Sequence, residues 1–477
     1  MNNVNLVYGV KDRPGFWKTI VFALQQVLAI LAATIVVPVI INSNVGSEMS
    51  QSAALFGAGV GTLVYLLFTK FKSPVFLGSS FAFIGSMCAA FGGAASASAG
   101  YLGLIVGAIF AGLVYVIIAL IVKVAGVKWI DKIMPAAVIG PTVAIIGLSL
   151  SVNAIGDLFK GSVSAPVNEW IIKSNGLPEL VTNFYPTAST WLCLLCGLVT
   201  LATVIVCSVY GKKMMKIIPF IIGIAAGYAL AAIFTVIGRL TDNPALMIIN
   251  FDLFLNMKWL PEFTFIEALG GFKDIDGAFI GTVAVAYVPV AFVVFAEHLA
   301  DHKNISSIIG TDLTKDPGLH RTLLGDGIGS MAGAFFGGCP NTTYGESVGC
   351  VAISGNASVV TIFTAAIICI ISAFFAPFVT LLATIPSCVM GGVCMTLYGF
   401  IAVSGLKMIQ KVDLSANNNL FTVSVILIAG VGGMVLNIGA ITITSVACAL
   451  ILGILVNILG NIKCKKCACK DAEEKAE

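Results

Sequence analysis

The sequence has 477 residues, of which 58% are hydrophobic and only 10% are charged. Soluble domains carry about 25% charged residues, and a single hydrophobic core stops growing beyond about 250–300 residues. This composition therefore excludes a soluble globular protein. The formal net charge of +3 gives no sign of a nucleic-acid-binding protein. The lipid bilayer is predicted to be the solvent for most of the chain.

Long stretches without any Asp, Glu, Lys or Arg recur along the chain. They are 19–47, 73–122, 181–211, 347–406 and 414–462. Each exceeds the roughly 20 residues that a membrane-spanning helix needs. Because they tile the chain rather than lying at one end, they predict an all-α membrane protein and not a signal peptide or a single anchor.

Gly, Pro and Asn positions divide these stretches into fourteen predicted spans. The spans lie near 18–43, 51–69, 74–93, 101–122, 133–152, 188–210, 217–238, 277–300, 322–338, 341–356, 358–382, 386–406, 418–436 and 440–462. With a cytoplasmic N-terminus, 21 of the 26 Lys and Arg residues fall on the cytoplasmic side, as the positive-inside rule expects. The sequence thus predicts a multi-pass protein of the cell inner (plasma) membrane with both termini in the cytoplasm.

Internal repetition divides the fourteen spans into two halves of seven. Residues 134–140 and 385–391 share the pattern P-x-x-V-[IM]-G, each near the start of the fifth span of its half. The third span of each half is interrupted by Pro and small polar residues, at 74–81 and 339–346. An odd number of spans per half gives the halves opposite orientations, which is the inverted-repeat plan of many secondary transporters.

The two matched breaks predict a binding site. Pro removes a backbone donor, and Gly, Ser, Thr and Asn favour extended or capping conformations. Non-helical backbone at membrane depth persists only where it is buried in protein or lines a watery cavity. We therefore expect 75–81 and 340–345 to be extended and to meet near mid-membrane, with the positive ends of the following helices pointing at the same place. The alternative is a pair of proline kinks that only adjust helix packing.

Acidic residues within the apolar sequence are candidates for function, because intramembrane charges are costly and mark pathways and sites. Glu346 follows the second break directly, in the first turn of a predicted helix. Glu297 closes the uncharged run 277–296, and Asp301 lies four residues later on the same helical face. The alternative for Glu297 and Asp301 is a solvated cytoplasmic helix end. Asp326 lies between glycines in the ninth span, where the alternative is a helix cap near the cytoplasmic mouth.

The histidines give no enzymatic motif. His298, His302 and His320 are the only three, and all are expected on the cytoplasmic side. Neither a metalloprotease motif nor a spacing typical of a Ser/His/Asp triad is present. These observations disfavour an intramembrane enzyme, and no cofactor is predicted.

Ten of the thirteen cysteines lie within or beside apolar spans, where a thiol behaves as a small hydrophobic group. Cys464, Cys467 and Cys469 lie in a lysine-rich tail. Their spacing permits a metal site or lipidation, and the alternative is a reduced, solvated tail near anionic lipid. No metal site is predicted.

Four ordered segments closely resemble uracil carriers of the nucleobase–ascorbate transporter family. They are 77–83 (LGSSFAF), 295–301 (FAEHLAD), 316–321 (DPGLHR) and 340–346 (PNTTYGE). The resemblance implies uptake of a nucleobase, most readily uracil, coupled to protons by alternating access, in a homodimer. It also implies that the breaks of spans 3 and 10 form a short antiparallel strand pair.

The resemblance further implies a core domain and a gate domain. The core domain comprises 1–127 (spans 1–4) and 276–384 (spans 8–11). The gate domain comprises 128–275 (spans 5–7) and 385–477 (spans 12–14 and the cytoplasmic tail).

Site residues carry over from the family position by position. Glu297 and Glu346 match two carboxylates that bind the base, Phe81 and Gly345 match positions that offer backbone N–H groups, and Tyr344 lines the pocket. The implied substrate-binding set is Glu297, Glu346, Phe81, Gly345, Tyr344 and Ser80. The implied proton-coupling set is Glu297, Asp301 and Asp326.

Two departures from the family pattern bear on selectivity and coupling. Asp301 stands where uracil carriers often have His and purine carriers often have Asp, and Ser347 follows Glu346 where the family signature commonly has Asn. Glu346 itself, where purine carriers tend to have Gln, favours uracil over xanthine or guanine. An anion transporter of the same architecture is a further alternative, but anion sites favour positive potential, and Glu297 and Glu346 argue against it.

Overall fold

The computed structural model describes residues 6–126, 129, 134–172, 178–212, 214–257, 259–438 and 441–461. Helices dominate these residues, as predicted for this membrane protein. The tail cysteines Cys464, Cys467 and Cys469 lie outside the described residues.

The first part of the chain contains nine α-helices and three strands among the described residues. In chain order these elements are α1 (Phe16–Val45), α2 (Gln51–Phe68), β1 (Leu77–Ser79), α3 (Ile84–Gly92), α4 (Ala97–Ala125), α5 (Ala136–Ser149), α6 (Ser151–Asp157), β2 (Ser164–Ile172), β3 (Pro178–Pro186), α7 (Thr190–Tyr210), α8 (Met214–Ile217) and α9 (Pro219–Leu240). A 3₁₀ turn at Phe81–Phe83 leads directly into α3.

The second part of the chain also contains nine α-helices and three strands among the described residues. Its elements are α10 (Thr264–Ala268), α11 (Gly277–Ile309), α12 (Leu319–Gly337), β4 (Asn341–Thr343), α13 (Gly345–Ser354), α14 (Val359–Ser372), α15 (Ala376–Ala383), α16 (Ser387–Ile409), α17 (Asn417–Val431), β5 (Leu436–Ile438), β6 (Ile441–Ile443) and α18 (Ser445–Gly460).

Eight helices of the described residues are long and apolar enough to cross a membrane, with α5 and α6 counted as one. The number becomes nine if α14 and α15, which meet at an 84° bend, form one span. Shorter apolar helices lie at Phe81–Gly92, Asn417–Val431 and Ser445–Gly460. The chain is therefore a multi-pass membrane protein, while fourteen spans in two inverted halves stay a prediction.

The two breaks pair with each other. β1 and β4 are antiparallel, with Leu77 opposite Thr343 and Ser79 opposite Asn341. Two further bonds extend the pairing: Ser80 N donates to Pro340 O at 2.9 Å, and Tyr344 N donates to Phe76 O at 3.1 Å. Each extended segment thus supplies partners for backbone groups that would otherwise be buried without one.

Two other strand pairs were not predicted. β2 pairs with β3 in a long hairpin, and β5 pairs with β6. Helix was predicted across 418–436 and from residue 440, so the facing ends of these two predicted spans are wrong. Gly433 adopts φ +68° just after α17, a conformation that stops a helix and that glycine adopts without strain. The β-branched residues of β6 favour a strand.

The predicted eighth span also differs from the structure. It was expected to end near residue 300, but α11 continues to Ile309 and stops at Gly310, whose φ is +67°. A left-handed glycine of this kind is a common helix end. Glu297 and Asp301 consequently lie inside a helix rather than at its last turn.

Helix packing forms two groups around the strand pair. In one group, α2 packs on α12 and α14, and α4 packs on α11 and α12. In the other, α16 packs on α5 and α7, α7 packs on α9, and α17 packs on α5 and α18. The paired strands β1 and β4 contact α2 and α12, so they belong to the first group.

Glycine permits the close crossing of α2 and α12. A Cβ atom on Gly57 would lie 2.5 Å from the carbonyl oxygen of Gly333. The carbonyl oxygen of Gly57 also accepts a hydrogen bond from Asn341 Nδ2 at 3.0 Å. The crossing therefore places β4, which begins at Asn341, directly against both helices.

We predict that Gly57→Ala lowers the free energy of unfolding by about 1–3 kcal/mol, because the added methyl group overpacks a backbone contact. Thermal unfolding of the detergent-purified protein measures the effect. Gly399→Ala is the matched control, since a Cβ there meets nothing within 4 Å and Ala is the better helix former. Equal melting temperatures for both variants would contradict the prediction.

Candidate functional site

A cavity of about 350 Å³ lies between the two groups of helices, which is within the usual size of small-molecule pockets. Seven of the eight predicted site residues line it: Ser80, Phe81, Glu297, Asp301, Tyr344, Gly345 and Glu346. The eighth, Asp326, is not among the lining residues. The sequence motifs thus converge on one place in the fold.

Two helices begin at the cavity wall. β1 leads through Ser80 into the turn that starts at Phe81, and β4 leads through Tyr344 into α13, which starts at Gly345. The first N–H groups of a helix have no intrahelical acceptor, and the helix dipole adds positive potential there. Phe81 and Gly345 therefore bring backbone donors to the cavity.

Carboxylates provide the acceptors of the cavity. Glu297 projects from α11 and Glu346 from the first turn of α13, and both line the cavity. They lie close enough to repel each other when both are ionised. Asp301, one turn after Glu297, is only 8% exposed, and its Oδ2 accepts a hydrogen bond from the Thr343 hydroxyl at 3.0 Å. A ligand with N–H donors would offset the repulsion between the glutamates.

Tyr344 stabilises the strand pair from the side. Its hydroxyl donates to the carbonyl oxygen of Ser79 at 2.7 Å. Its ring covers Gly78 so closely that any Cβ at that position would collide with it. The glycine in β1 is therefore needed for the close approach of an aromatic ring.

Ser347, which stands where the family signature commonly has Asn, joins α13 to the first break. Its Oγ accepts a hydrogen bond from Phe76 N at 3.1 Å, and its carbonyl oxygen accepts one from Gln26 Nε2 at 3.4 Å. The side chain is fully buried and absent from the cavity wall. Ser347 thus supports the backbone around the site.

Asp326 and two histidines lie behind the wall. His298 Nδ1 lies 2.7 Å from Asp326 Oδ2, and both side chains are buried. His302 is also buried, and its Nε2 lies 2.6 Å from the hydroxyl of Tyr65. The interpretation of this segment as a solvated helix end is therefore wrong. The interpretation of Asp326 as a cap near the cytoplasmic mouth is also wrong, because Asp326 is buried inside α12. The physical reason is that α11 continues to Ile309 and buries the side of the helix that carries His298, Asp301 and His302.

The spacing of the residues in α11 could have predicted that the two histidines lie on one helical face, beside the face that carries Glu297 and Asp301. Glu297 and Asp301 are separated by four residues, and so are His298 and His302. Residues four apart share a helical face, so the two pairs mark two adjacent faces. Only the first pair lines the cavity.

The apolar half of the wall was not predicted. It comes from α1, α5, α9 and α16, through Ala29, Val143, Ile146, Phe220, Leu397, Phe400 and Ile401. Lys216, Asn304 and Ser404 add polar groups. Apolar residues in apolar helices carry no sequence signal of this role, because every face of such a helix looks alike.

The chain matches a known protein family over most of its length. The model of a permease family, Xan_ur_permease, matches residues 17–439. The chain belongs to this permease family. It is accordingly a membrane transporter and not an enzyme.

Relatives match over almost the full length of the permease. The uracil permease of Bacillus subtilis (strain 168) is 37% identical over 464 residues, covering 96% of this chain and 95% of its own. The uracil permease of Escherichia coli (strain K12) is 34% identical over 456 residues, covering 94% and 93%.

Solved structures share the fold at low sequence identity. The transmembrane domain of a cyanobacterium bicarbonate transporter, BicA, aligns with a TM-score of 0.58 at 16% identity, covering 93% of this chain and 97% of that one. The murine anion transporter Slc26a9, in its inward-facing state, aligns with a TM-score of 0.62 at 13% identity, covering 94% and 69%.

We predict that Tyr344→Phe lowers the free energy of unfolding by about 1–3 kcal/mol, because the carbonyl group of Ser79 loses its buried donor while the ring still covers Gly78. Thermal unfolding in detergent measures the change. Tyr287→Phe is the control, since the Tyr287 hydroxyl is buried with no hydrogen-bond partner among the described residues. A smaller loss for Tyr344→Phe than for Tyr287→Phe would contradict the role given to this hydroxyl.

Proposed function

We propose that this permease carries a nucleobase across the membrane, and that uracil is its main substrate. The observation that supports this most directly is the pairing, in one cavity, of two glutamates with two helix N-termini. Uracil has two ring N–H donors and two carbonyl acceptors. Glu297 and Glu346 accept from the N–H groups, and the backbone N–H groups of Phe81 and Gly345 donate to the carbonyls, so every polar edge of the base is satisfied.

Aromatic rings complete the recognition of a flat heterocycle. Phe81 and Tyr344 both line the cavity, and either ring offers a face or an edge to a base. The full-length similarity to uracil permeases of two bacteria supports the same substrate.

Transport proceeds by alternating access of two domains. The core domain consists of 1–127 and 276–384, and the gate domain consists of 128–275 and 385–477. This division follows the observed packing groups: the glutamates and the strand pair lie in the core, and the apolar wall from α5, α9 and α16 lies in the gate. Fourteen spans follow if α12, the bent pair α14–α15, the two half-helices after β1 and β4, and the short helices α17 and α18 each count as one.

The coupling ion is a proton. A carboxylate that is neutral in one state and ionised in another carries a proton through the transport cycle, and Glu297 has this role. Asp301 and Asp326, which act on Glu297 electrostatically, adjust its protonation. The protein works as a homodimer in the cell inner (plasma) membrane, with both termini in the cytoplasm.

A purine permease of the same family, carrying xanthine or guanine, is the second candidate. The carboxylate of Glu346 favours the pyrimidine, because a carboxylate only accepts hydrogen bonds where an amide also donates. Anion transport, as in the structurally similar carriers, is disfavoured by the three carboxylates that line the cavity: Glu297, Asp301 and Glu346.

Uptake of labelled bases tests the proposed function directly. Cells that lack their own nucleobase carriers are supplied with this protein and offered uracil, xanthine and guanine. Accumulation of uracil above that of the purines is expected. Preferential accumulation of a purine would replace uracil as substrate, and accumulation of none would overturn nucleobase transport.

We predict that Glu346→Gln weakens uracil binding by roughly 10- to 150-fold. The loss of one charged hydrogen bond costs about 1.5–3 kcal/mol. The affinity for xanthine should fall less than the affinity for uracil, because the amide adds a hydrogen-bond donor. Competition for uracil uptake by both bases measures the two affinities, and an equal loss for both would show that Glu346 does not distinguish them.

We predict that uracil uptake by the wild-type protein falls as external pH rises and collapses with a protonophore, whereas Glu297→Gln loses active accumulation and keeps only downhill exchange. The amide can still contact the base but cannot release a proton. The measurement is uracil-driven proton flux in proteoliposomes, with Asp301→Asn as the milder comparison. Undiminished proton flux in the Glu297→Gln protein would overturn the role of Glu297.

A further inference from the structure

Behind the cavity wall, the buried side chains of His298 and Asp326 form a hydrogen-bonded pair. His298 Nδ1 lies 2.7 Å from Asp326 Oδ2, with exposures of 0% and 1%. The other ring nitrogen, Nε2, lies 3.0 Å from the hydroxyl oxygen of Thr322. Neither member of the pair lines the cavity.

Hydrogen-bond chemistry restricts the protons that this pair can hold. The Thr322 hydroxyl is 3.0 Å from the carbonyl oxygen of Leu319, which can only accept. When the hydroxyl donates there, its oxygen accepts from a protonated Nε2 of His298. The contact between Nδ1 and Asp326 then needs a second proton, carried by the ring or by the carboxyl group. In this loaded form the pair has no net charge.

A second form differs by the loss of one proton and the rotation of one hydroxyl hydrogen. If the Thr322 hydroxyl turns from Leu319 to Nε2, that nitrogen becomes an acceptor. The single ring proton then lies on Nδ1 and is donated to the Asp326 carboxylate. Both side-chain contacts of His298 are kept, one proton has left, and the pair carries a negative charge. No heavy atom needs to move between the two forms.

Thr342 of strand β4 connects the pair to the cavity. The buried carboxyl group of Asp326 interacts with the hydroxyl of Thr342, and Thr342 lines the cavity. Asp326 also acts electrostatically on Glu297 and Asp301. In a poorly solvated interior such interactions are stronger than in water.

The remaining ionisable groups around the pair come from three helices. On α11, the His302 ring stacks on His298 with centroids 3.9 Å apart. Tyr115 of α4 presents its ring edge to His298 with centroids 6.3 Å apart. Tyr65 of α2 bonds to His302 rather than to the pair. His302 donates its Nδ1–H to the His298 carbonyl oxygen at 2.8 Å, so it does not share the proton between His298 and Asp326.

We propose that His298 and Asp326 are a second proton-binding site, loaded when a base occupies the cavity. This rests on the proposed function. A base that donates to Glu297 and Glu346 favours their ionised forms, and the negative charge at Glu297 favours the neutral, loaded form of the pair. Binding of the base therefore places one proton on the pair, taken from water or released by Glu297, and departure of the base returns that proton. His298 acts here as a positioning residue that never touches the base.

Calorimetric titration of the purified full-length protein with uracil tests the proposal. Titrations in two buffers with different ionisation enthalpies give the number of protons bound per uracil. His298→Gln removes the titrating ring, and Thr322→Val keeps both ionisable groups but removes the hydroxyl whose rotation lets the pair change between its two forms. In both variants the number of protons per uracil should fall by up to about one relative to wild type, because one linked site is lost. His302→Gln, which alters the neighbouring ring outside the pair, should keep the wild-type number.

The outcomes distinguish a failure of the proposed function from a failure of the proton site. If the wild-type protein binds no uracil, the proposed function fails. If it binds uracil but both His298→Gln and Thr322→Val keep the wild-type proton number, the proton site alone is overturned. If His298→Gln does not fold, as judged by thermal unfolding, Thr322→Val decides, because Val has the shape of Thr. A fall of the same size in His302→Gln would also overturn the assignment, since the effect would then not belong to the pair.

Discussion

Mutual pairing of two three-residue strands is the constraint on which the site depends. Leu77–Ser79 and Asn341–Thr343 interrupt apolar helical sequence, and an unpaired backbone group in such surroundings costs several kcal/mol. Each strand satisfies the other, so neither break is stable alone. The pairing also sets where the helices at Phe81 and Gly345 begin, and hence where their free N–H groups point.

Polar side chains around the strands form two layers. The first faces the cavity and contains Glu297, Asp301 and Glu346. The second lies behind it and contains His298 and Asp326. One helix, α11, contributes to both layers, because successive residues are rotated by about 100° around a helix. Charge in the second layer therefore acts on the first over a short, poorly solvated distance.

The two sides of the cavity provide different kinds of contact to a ligand. The side with the strands supplies hydrogen bonds and charge, whereas α5, α9 and α16 supply an apolar surface that excludes water and sets the shape. An apolar surface makes no directional bonds, so it can slide or separate from a bound ligand at little cost. This contrast fits the proposed movement of a core domain, which holds the base, against a gate domain.

The sequence by itself determined the membrane class and the two breaks, and it marked Glu297, Asp301 and Glu346 as site candidates, whereas Ser80, Phe81, Tyr344 and Gly345 came from the family resemblance. It could do so because charge is rare in apolar sequence and because Pro and Gly act locally, so Glu297, Glu346 and the segments around Gly78 and Tyr344 stand out. Only the tertiary structure decided that α11 extends past Asp301 and that His298 meets Asp326. It also selected which apolar faces form the wall, since contacts between distant helices depend on packing that no local pattern records.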